Sequence, residues 1–195
     1  RALFATLASG YPRLPRAGAT VHLRDARRLA SRGEFDPRGL WVIENTLIKE
    51  IVTEQAEAGL ELLTDGLVRW VDELGSFVWA LRGSHVAADG RPRFDREPEW
   101  LRPVSVESFR FLRSLTDQPV RMVLLGPFTL ARASDPGPLT RERLTMTLAD
   151  ALVHEIRELV AAGCQVIQVD EPAAVSIETD ADRALFRAAH RRLTH

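Results

Sequence analysis

Apolar and polar residues along the chain switch between two periods, one of about 3.6 residues and one of short unbroken runs. Over residues 41–59, Ile43, Leu47, Ile48, Ile51, Val52 and Gln55 step along one face, while Glu44, Lys49, Glu50 and Glu54 fall largely elsewhere. That spacing predicts an amphipathic helix, with Gly59 as its C-terminal stop. Residues 141–162 repeat the pattern and stop at Gly163. Shorter helices are predicted at 23–32, within the arginine-rich stretch 13–38, and at 70–79, 106–115 and 180–193. Thr179 or Asp180 is the N-cap of the last. Between the helices lie short Val-, Ile- and Leu-rich runs at 3–7, 60–64, 120–125 and 164–170, the signature of buried parallel strands. A further strand is expected near 101–106. Residues 83–102 alternate polar and apolar around Ala88-Asp89-Gly90, a hairpin signal.

Strands near residues 5, 62, 101–106, 122 and 167 therefore alternate with helices, which predicts an α/β protein of βα units with a parallel sheet. No internal repeat interrupts the series. A (β/α)₈ TIM barrel takes about 250 residues. The 195 residues fit either an open doubly wound sheet or about the first five units of a barrel.

Four strand ends carry small or polar residues: Ser9-Gly10-Tyr11-Pro12, Thr64-Asp65-Gly66, Gly126-Pro127-Phe128-Thr129 and Asp170-Glu171-Pro172. In a parallel barrel all strands point one way, so these ends share one rim, where such folds place their chemistry. Asp65, Asp170 and Glu171 there could hold an ammonium group, a metal or a proton. The same residues also suit plain turn and helix-cap chemistry.

Composition narrows the classes. A net charge of -1 gives no basic field for nucleic acid or an anionic membrane. No apolar run approaches membrane-spanning length, and no signal-peptide pattern is read at the start. The single cysteine, Cys164, excludes an intramolecular disulfide framework, so the cytoplasm is the expected compartment. Cys164 lies at the entry of its strand, away from the expected rim. His22, His85, His154, His190 and His195 show no ligand spacing with it, and no metal site is expected from these residues alone.

The motifs resemble the catalytic C-terminal barrel of the cobalamin-independent methionine synthase family, within the uroporphyrinogen-decarboxylase-like barrel superfamily. Residues 54–66 are similar to the family's "Q-E-x-G-L-D-x-x-x-x-G" segment, with Asp72 and Phe77 matching the helix that follows. Residues 125–129 resemble "G-P-x-T", and 163–173 resemble "G-x-x-x-I-Q-x-D-E-P-A". Residues 9–12 are similar to "G-S-F-P" with the small residues reordered.

The resemblance implies that residues 1–195 are the N-terminal part of a single barrel domain. It implies a zinc-dependent methyltransferase of methionine biosynthesis that passes a methyl group, from a methylated folate, to the thiol of homocysteine. The zinc ligands are expected on later barrel units, beyond His195. Asp170 takes over the role of binding the substrate's amino group, a carboxylate-to-ammonium contact. Glu171 orients the strand-end loop, and Asp65, Gly10, Tyr11 and Thr129 line the same pocket. Arg69 or Arg102 is a candidate contact for an anionic donor.

Two positions depart from the family pattern. Leu67 stands where the family's "H-G-E" segment has its ammonium-holding glutamate, and Ser176 stands near the place of an acid that helps hold the folate. Two alternatives follow: a transferase acting on another thiol such as coenzyme M, or a non-catalytic relative with a regulatory or structural role. If the chain ended at His195, self-association or a partner chain would be needed to cover open strand edges.

Overall fold

The structure, a computed structural model, describes residues 5–8, 10–11, 19–30, 32–69, 75–78, 80–87 and 91–194. The start of the opening apolar run, Ser9, Pro12, the beginning of the 70–79 helix with Asp72, Trp79, the hairpin turn Ala88-Asp89-Gly90 and His195 lie outside the described residues. The chain groups into two compact units, residues 1–69 with 110–121, and residues 70–109 with 122–195.

In the first unit, α1 (Ala19–Ala30) packs on α2 (Pro37–Glu57). Asp36 caps α2 by accepting a hydrogen bond from the Arg38 amide, with Pro37 at the first turn where its missing N–H costs nothing. The buried residues of α2 are Glu44, Ile48, Ile51, Val52 and Gln55, which corrects one expectation: Glu44 faces inward. It does so because Arg27 and Arg69 reach it, at 2.8 and 3.9 Å, so the charge is buried already paired. The expected strands here are single parallel bridges, Thr6 to Leu62 and Leu63 to Val120.

Gln55 extends that pairing from a helix. Its Nε2 donates to the Thr64 carbonyl at 2.8 Å and its Oε1 accepts from the Thr64 amide at 3.1 Å, so a side-chain amide serves as the strand's missing neighbour.

In the second unit, the hairpin is present as β1 (Leu81–Val86) antiparallel to β2 (Pro92–Trp100), preceded by the one-turn α3 (Gly75–Val78). The strand expected at 101–106 is not formed. Residues 101–105 are irregular, and α4 (Val106–Ser114) begins at once; the backbone amides of Val104 and Ser105 bond to the Glu155 side chain rather than to a strand. The apolar and proline residues there mark the exit from a hairpin, not a fifth βα strand.

β3 (Met122–Leu125) is wholly buried and pairs in parallel with β4 (Ile167–Asp170), Leu125 opposite Asp170. β4 is shorter than the apolar run 164–170 suggests, and all four of its residues are half-buried. Between the strands lie α5 (Pro127–Ala133), which periodicity alone had not marked, and the long α6 (Arg141–Ala161). Helix α6 packs on β2, α5 and the final helix α7 (Asp180–Leu193), whose N-cap is Thr179. Among the described residues no helix is long and apolar enough to cross a membrane.

Candidate functional site

Each unit carries one cluster at a strand end. In the first unit, Tyr11 and Gly66 are joined by a backbone bond from the Tyr11 amide to the Gly66 carbonyl, 3.1 Å. Gly66 sits at φ +68° with Tyr11 Cβ 2.9 Å from where its own Cβ would be, so the position requires glycine twice over, for conformation and for space. Leu67 follows at φ +56°, a left-handed conformation rare for a leucine. The Tyr11 hydroxyl donates to Glu54 of α2. Gly10, Tyr11 and Asp65 are thus neighbours of one turn.

Asp65 is the unusual member. Only 1% of it is exposed. Its Oδ1 accepts the Leu67 amide at 3.0 Å, holding the left-handed turn, while its Oδ2 is buried with no hydrogen-bond partner among the described residues. Burial pushes its pKa above the ordinary 3.8, against the opposing pull of the Leu67 amide and the Arg69 charge. The sign follows from linkage. A carboxyl with a raised folded-state pKa holds its proton longer in the fold than in the unfolded chain, so its own contribution to stability is highest at low pH. It falls as pH climbs from the unfolded value through the folded one. Asp65→Asn is expected to abolish this slope, so that the variant gains on the wild type as pH rises above about 4. Urea denaturation at a series of pH values checks it; parallel curves would show that folding leaves the pKa of Asp65 unchanged.

Arg69, one of the two arginines singled out as a donor contact, is taken up by Asn45 and Glu44 and lies over the Phe111 ring at 5.1 Å. Arg102, in the other unit, is exposed.

In the second unit, the ends of β3 and β4 bring Gly126, Thr129, Asp170 and Glu171 together. The Gly126 amide donates to the Asp170 carbonyl at 2.7 Å, extending the ladder by one bond. Glu171 turns toward α5. Its carboxylate accepts from the amides of Phe128 and Thr129, at 3.0 and 2.6 Å, and from the Thr129 hydroxyl. Gly126, the N-cap residue of α5, has no side chain to give, so Glu171 caps this helix from another strand. The cap needs Gly126 bare: a Cβ there would lie 2.3 Å from the Glu171 carboxyl carbon. His190 of α7 places Nε2 3.2 Å from Glu171 Oε1, and the Thr129 hydroxyl accepts from the Ala173 amide. Thr129 and Glu171 are therefore engaged in fixing the strand-end loop.

Asp170 is placed differently. It ends β4, is half-buried, and its Oδ1 accepts a hydrogen bond from Gln168 Nε2. Two residues that the sequence did not single out, Gln168 and His190, thus belong to this cluster. Gln168 was legible as the residue two before Asp170 on one face of a strand; His190 comes from a separate helix and carried no local signal.

Among the described residues no three His, Cys, Asp or Glu side chains converge to hold a metal ion. Cys164 is buried, its Sγ is 3.3 Å from the Val166 carbonyl, and burial pushes its thiol pKa up, away from the thiolate that binds zinc. The described residues do not fit a zinc ligand set.

Residues 18–184 match the family described as the catalytic domain of cobalamin-independent synthase. The chain is 32% identical over 166 residues to the 5-methyltetrahydropteroyltriglutamate–homocysteine methyltransferase of Salmonella newport strain SL254, and equally to that of Salmonella paratyphi B. In both, the match covers 79% of this chain and 22% of the relative, so it spans about a fifth of the curated relatives' length. Among solved structures, a B12-independent methionine synthase from Shewanella in complex with selenomethionine is similar at TM-score 0.73 and 25% identity, over 82% of this chain and 50% of that one. A putative vitamin-B12-independent methionine synthase from Listeria monocytogenes shares the fold at TM-score 0.77 and 22% identity, over 99% of this chain and 62% of that one.

Proposed function

The chain belongs to the family of cobalamin-independent synthase catalytic domains, and from that premise we propose that it is the N-terminal part of a TIM-barrel methyltransferase that moves a methyl group to a thiol. Homocysteine is the acceptor and a methylated folate the donor. The observation that carries the reading is Asp170: a half-buried carboxylate at the carboxyl end of a parallel strand, beside a loop held rigid by Glu171 and Thr129. Barrels present their catalytic and binding groups at this strand end. A carboxylate there pairs with an amino-acid ammonium through a charge-assisted hydrogen bond.

The zinc implied by the family resemblance, which would make the acceptor sulfur a thiolate, would be held by residues other than those described. No step is drawn through it. Asp170's part is to bind and orient the acceptor.

Asp170→Ala in the full-length protein, with zinc in the buffer, is expected to weaken homocysteine binding about 30-fold, the worth of one charge-assisted hydrogen bond of about 2 kcal/mol. Isothermal titration measures it, and an unchanged affinity removes the role. Leu67 favours a second reading. It is buried and apolar where the family pattern has an acid, so an acceptor without an ammonium, such as coenzyme M, loses nothing there. Competition between the two thiols separates the readings.

A further inference from the structure

We propose that His190 of α7 is a positioning residue for the acceptor site, holding Glu171 so that the turn bearing Asp170 keeps one conformation. The inference rests on the reading of Asp170 as the amine-binding residue and extends it to a helix that gives no group of its own to that contact.

Helix α7 runs antiparallel to α5, and one row of its side chains does the joining. Asp182, Phe186 and His190 are four residues apart and so share one face of α7. Asp182 pairs with Arg132 of α5 at 3.3 Å, and Phe186 meets Phe128 edge-on with ring centroids 5.7 Å apart. His190 continues the row past the start of α5. Its ring packs on Phe186 at 4.3 Å, and its Nε2 stands 3.2 Å from Glu171 Oε1. The first two members of the row join helix to helix; the third reaches the strand-end loop.

Glu171 is where the chain leaves β4, at φ -128° and ψ 66°, with Pro172 opening a short 3-10 helix behind it. Its side chain is 6% exposed. Oε1 takes the Phe128 amide and His190, and Oε2 takes the Thr129 amide and hydroxyl. A carboxylate only accepts, so Nε2 of His190 carries the hydrogen. The other donors all belong to α5, so His190 is what ties this carboxylate to a third segment. Just ahead of it, the Asp170 carbonyl accepts the Gly126 amide at 2.7 Å. The peptide that links Asp170 to Glu171 is thus held from the sheet on one side and through the Glu171 side chain on the other. Without the His190 donor, Oε1 is left short of a partner in a place that little water reaches. The carboxylate then gains freedom, and the shared peptide passes that freedom to Asp170. An acceptor that pairs its ammonium with Asp170 must order the turn as it binds.

The test separates the hydrogen bond from the ring. His190→Gln places an amide N–H near the position of Nε2 and loses the ring. His190→Phe keeps a ring against Phe186 and loses the donor; His190→Leu serves in its place if its thermal midpoint shows that it fails to fold. Homocysteine and 4-sulfanylbutanoate, which lacks the amino group, are titrated into the full-length protein with zinc in the buffer. The expected result is a loss of homocysteine affinity of about fivefold in His190→Phe and of less than about twofold in His190→Gln, with 4-sulfanylbutanoate binding unchanged in both. Wild-type affinity in His190→Phe, or equal losses in the two variants, would overturn the proposal, since packing and not the donor would then matter. An equal loss for both thiols would overturn it too, as the mark of a general disturbance of the fold. Asp170→Ala is measured beside them. If it weakens homocysteine binding while His190→Phe does not, the reading of Asp170 stands and the positioning role is lost. If Asp170→Ala changes nothing, the reading of Asp170 falls and the role of His190 falls with it.

Discussion

Glu155→Ala is expected to destabilise the protein by about 4 kcal/mol, a large share of the ~5–15 kcal/mol that holds a typical domain folded. Glu155 lies on α6 and is completely buried. Its Oε1 accepts from the backbone amides of Val104 and Ser105 at 2.9 and 2.7 Å, and its Oε2 accepts from Trp100 Nε1 at 3.0 Å. One side chain thus satisfies three donors at the junction where the hairpin ends and α4 begins. Truncation strands all three, the Ser105 amide fully buried and the Trp100 and Val104 donors half-buried, and each such orphan costs about 1–3 kcal/mol, least for the half-buried ones. Releasing the carboxylate from its desolvated site gives part of that back. Glu155→Gln keeps one acceptor oxygen for the two amides but turns an NH₂ toward the Trp100 N–H, so about half the loss is expected. Urea unfolding of the three proteins measures both. An alanine variant within 1 kcal/mol of the wild type would show that water replaces the carboxylate.

Gly126→Ala is expected to cost about 3 kcal/mol, far more than an added methyl group at an ordinary N-cap. The new Cβ would stand 2.3 Å from both the Glu171 carboxyl carbon and its Oε1, which real structures do not tolerate. The carboxylate must leave. The amides of Phe128 and Thr129 then lose their acceptor, the Thr129 hydroxyl loses one partner, and the His190 contact is broken. A helix-cap loss of about 1–2 kcal/mol adds to the hydroxyl's lost acceptor and the displaced charge. Because Asp170 precedes Glu171 directly, homocysteine binding is expected to weaken about tenfold as well, through the strand-end backbone. Thermal denaturation and titration on the same preparation check the two effects. Unaltered stability would mean that the loop shifts at no cost.

The long helices were legible because repeated apolar spacing over many residues is hard to produce otherwise, and the last because Thr179 or Asp180 marked its start; the Asp36 and Thr140 caps show only in the structure, where α2 begins at Pro37 rather than at 41. The core strand was legible as the largely apolar run 120–125, of which the structure pairs Met122–Leu125. The errors share a cause: each depends on a partner distant in sequence. Residues 101–105 read as a strand because nothing local reveals that their amides bond to Glu155, about 50 residues on. Glu44 read as a solvent-facing acid because its half-buried arginine partners lie outside its own helix. Helix α5 is seven residues long, too short for a periodic signal, and its cap arrives from another strand. At the site, the acids and the Gly-Pro break were visible in the sequence, and the family resemblance implied a division of labour between Asp170 and Glu171, but its physical basis was not legible. It is decided by which donors surround each carboxylate.

The bare Cα of Gly126 beneath the Glu171 carboxylate also constrains how the two positions can change over time. A side chain at 126 is forbidden while the acid is present, and removing the acid first uncaps α5. Either single replacement is therefore costly, yet once Glu171 is alanine, Gly126→Ala should add little further harm. The pair is separated from its apolar alternatives by a fitness valley that sequence drift must cross in two steps. Lineages that retain one member of the pair are thereby expected to retain the other.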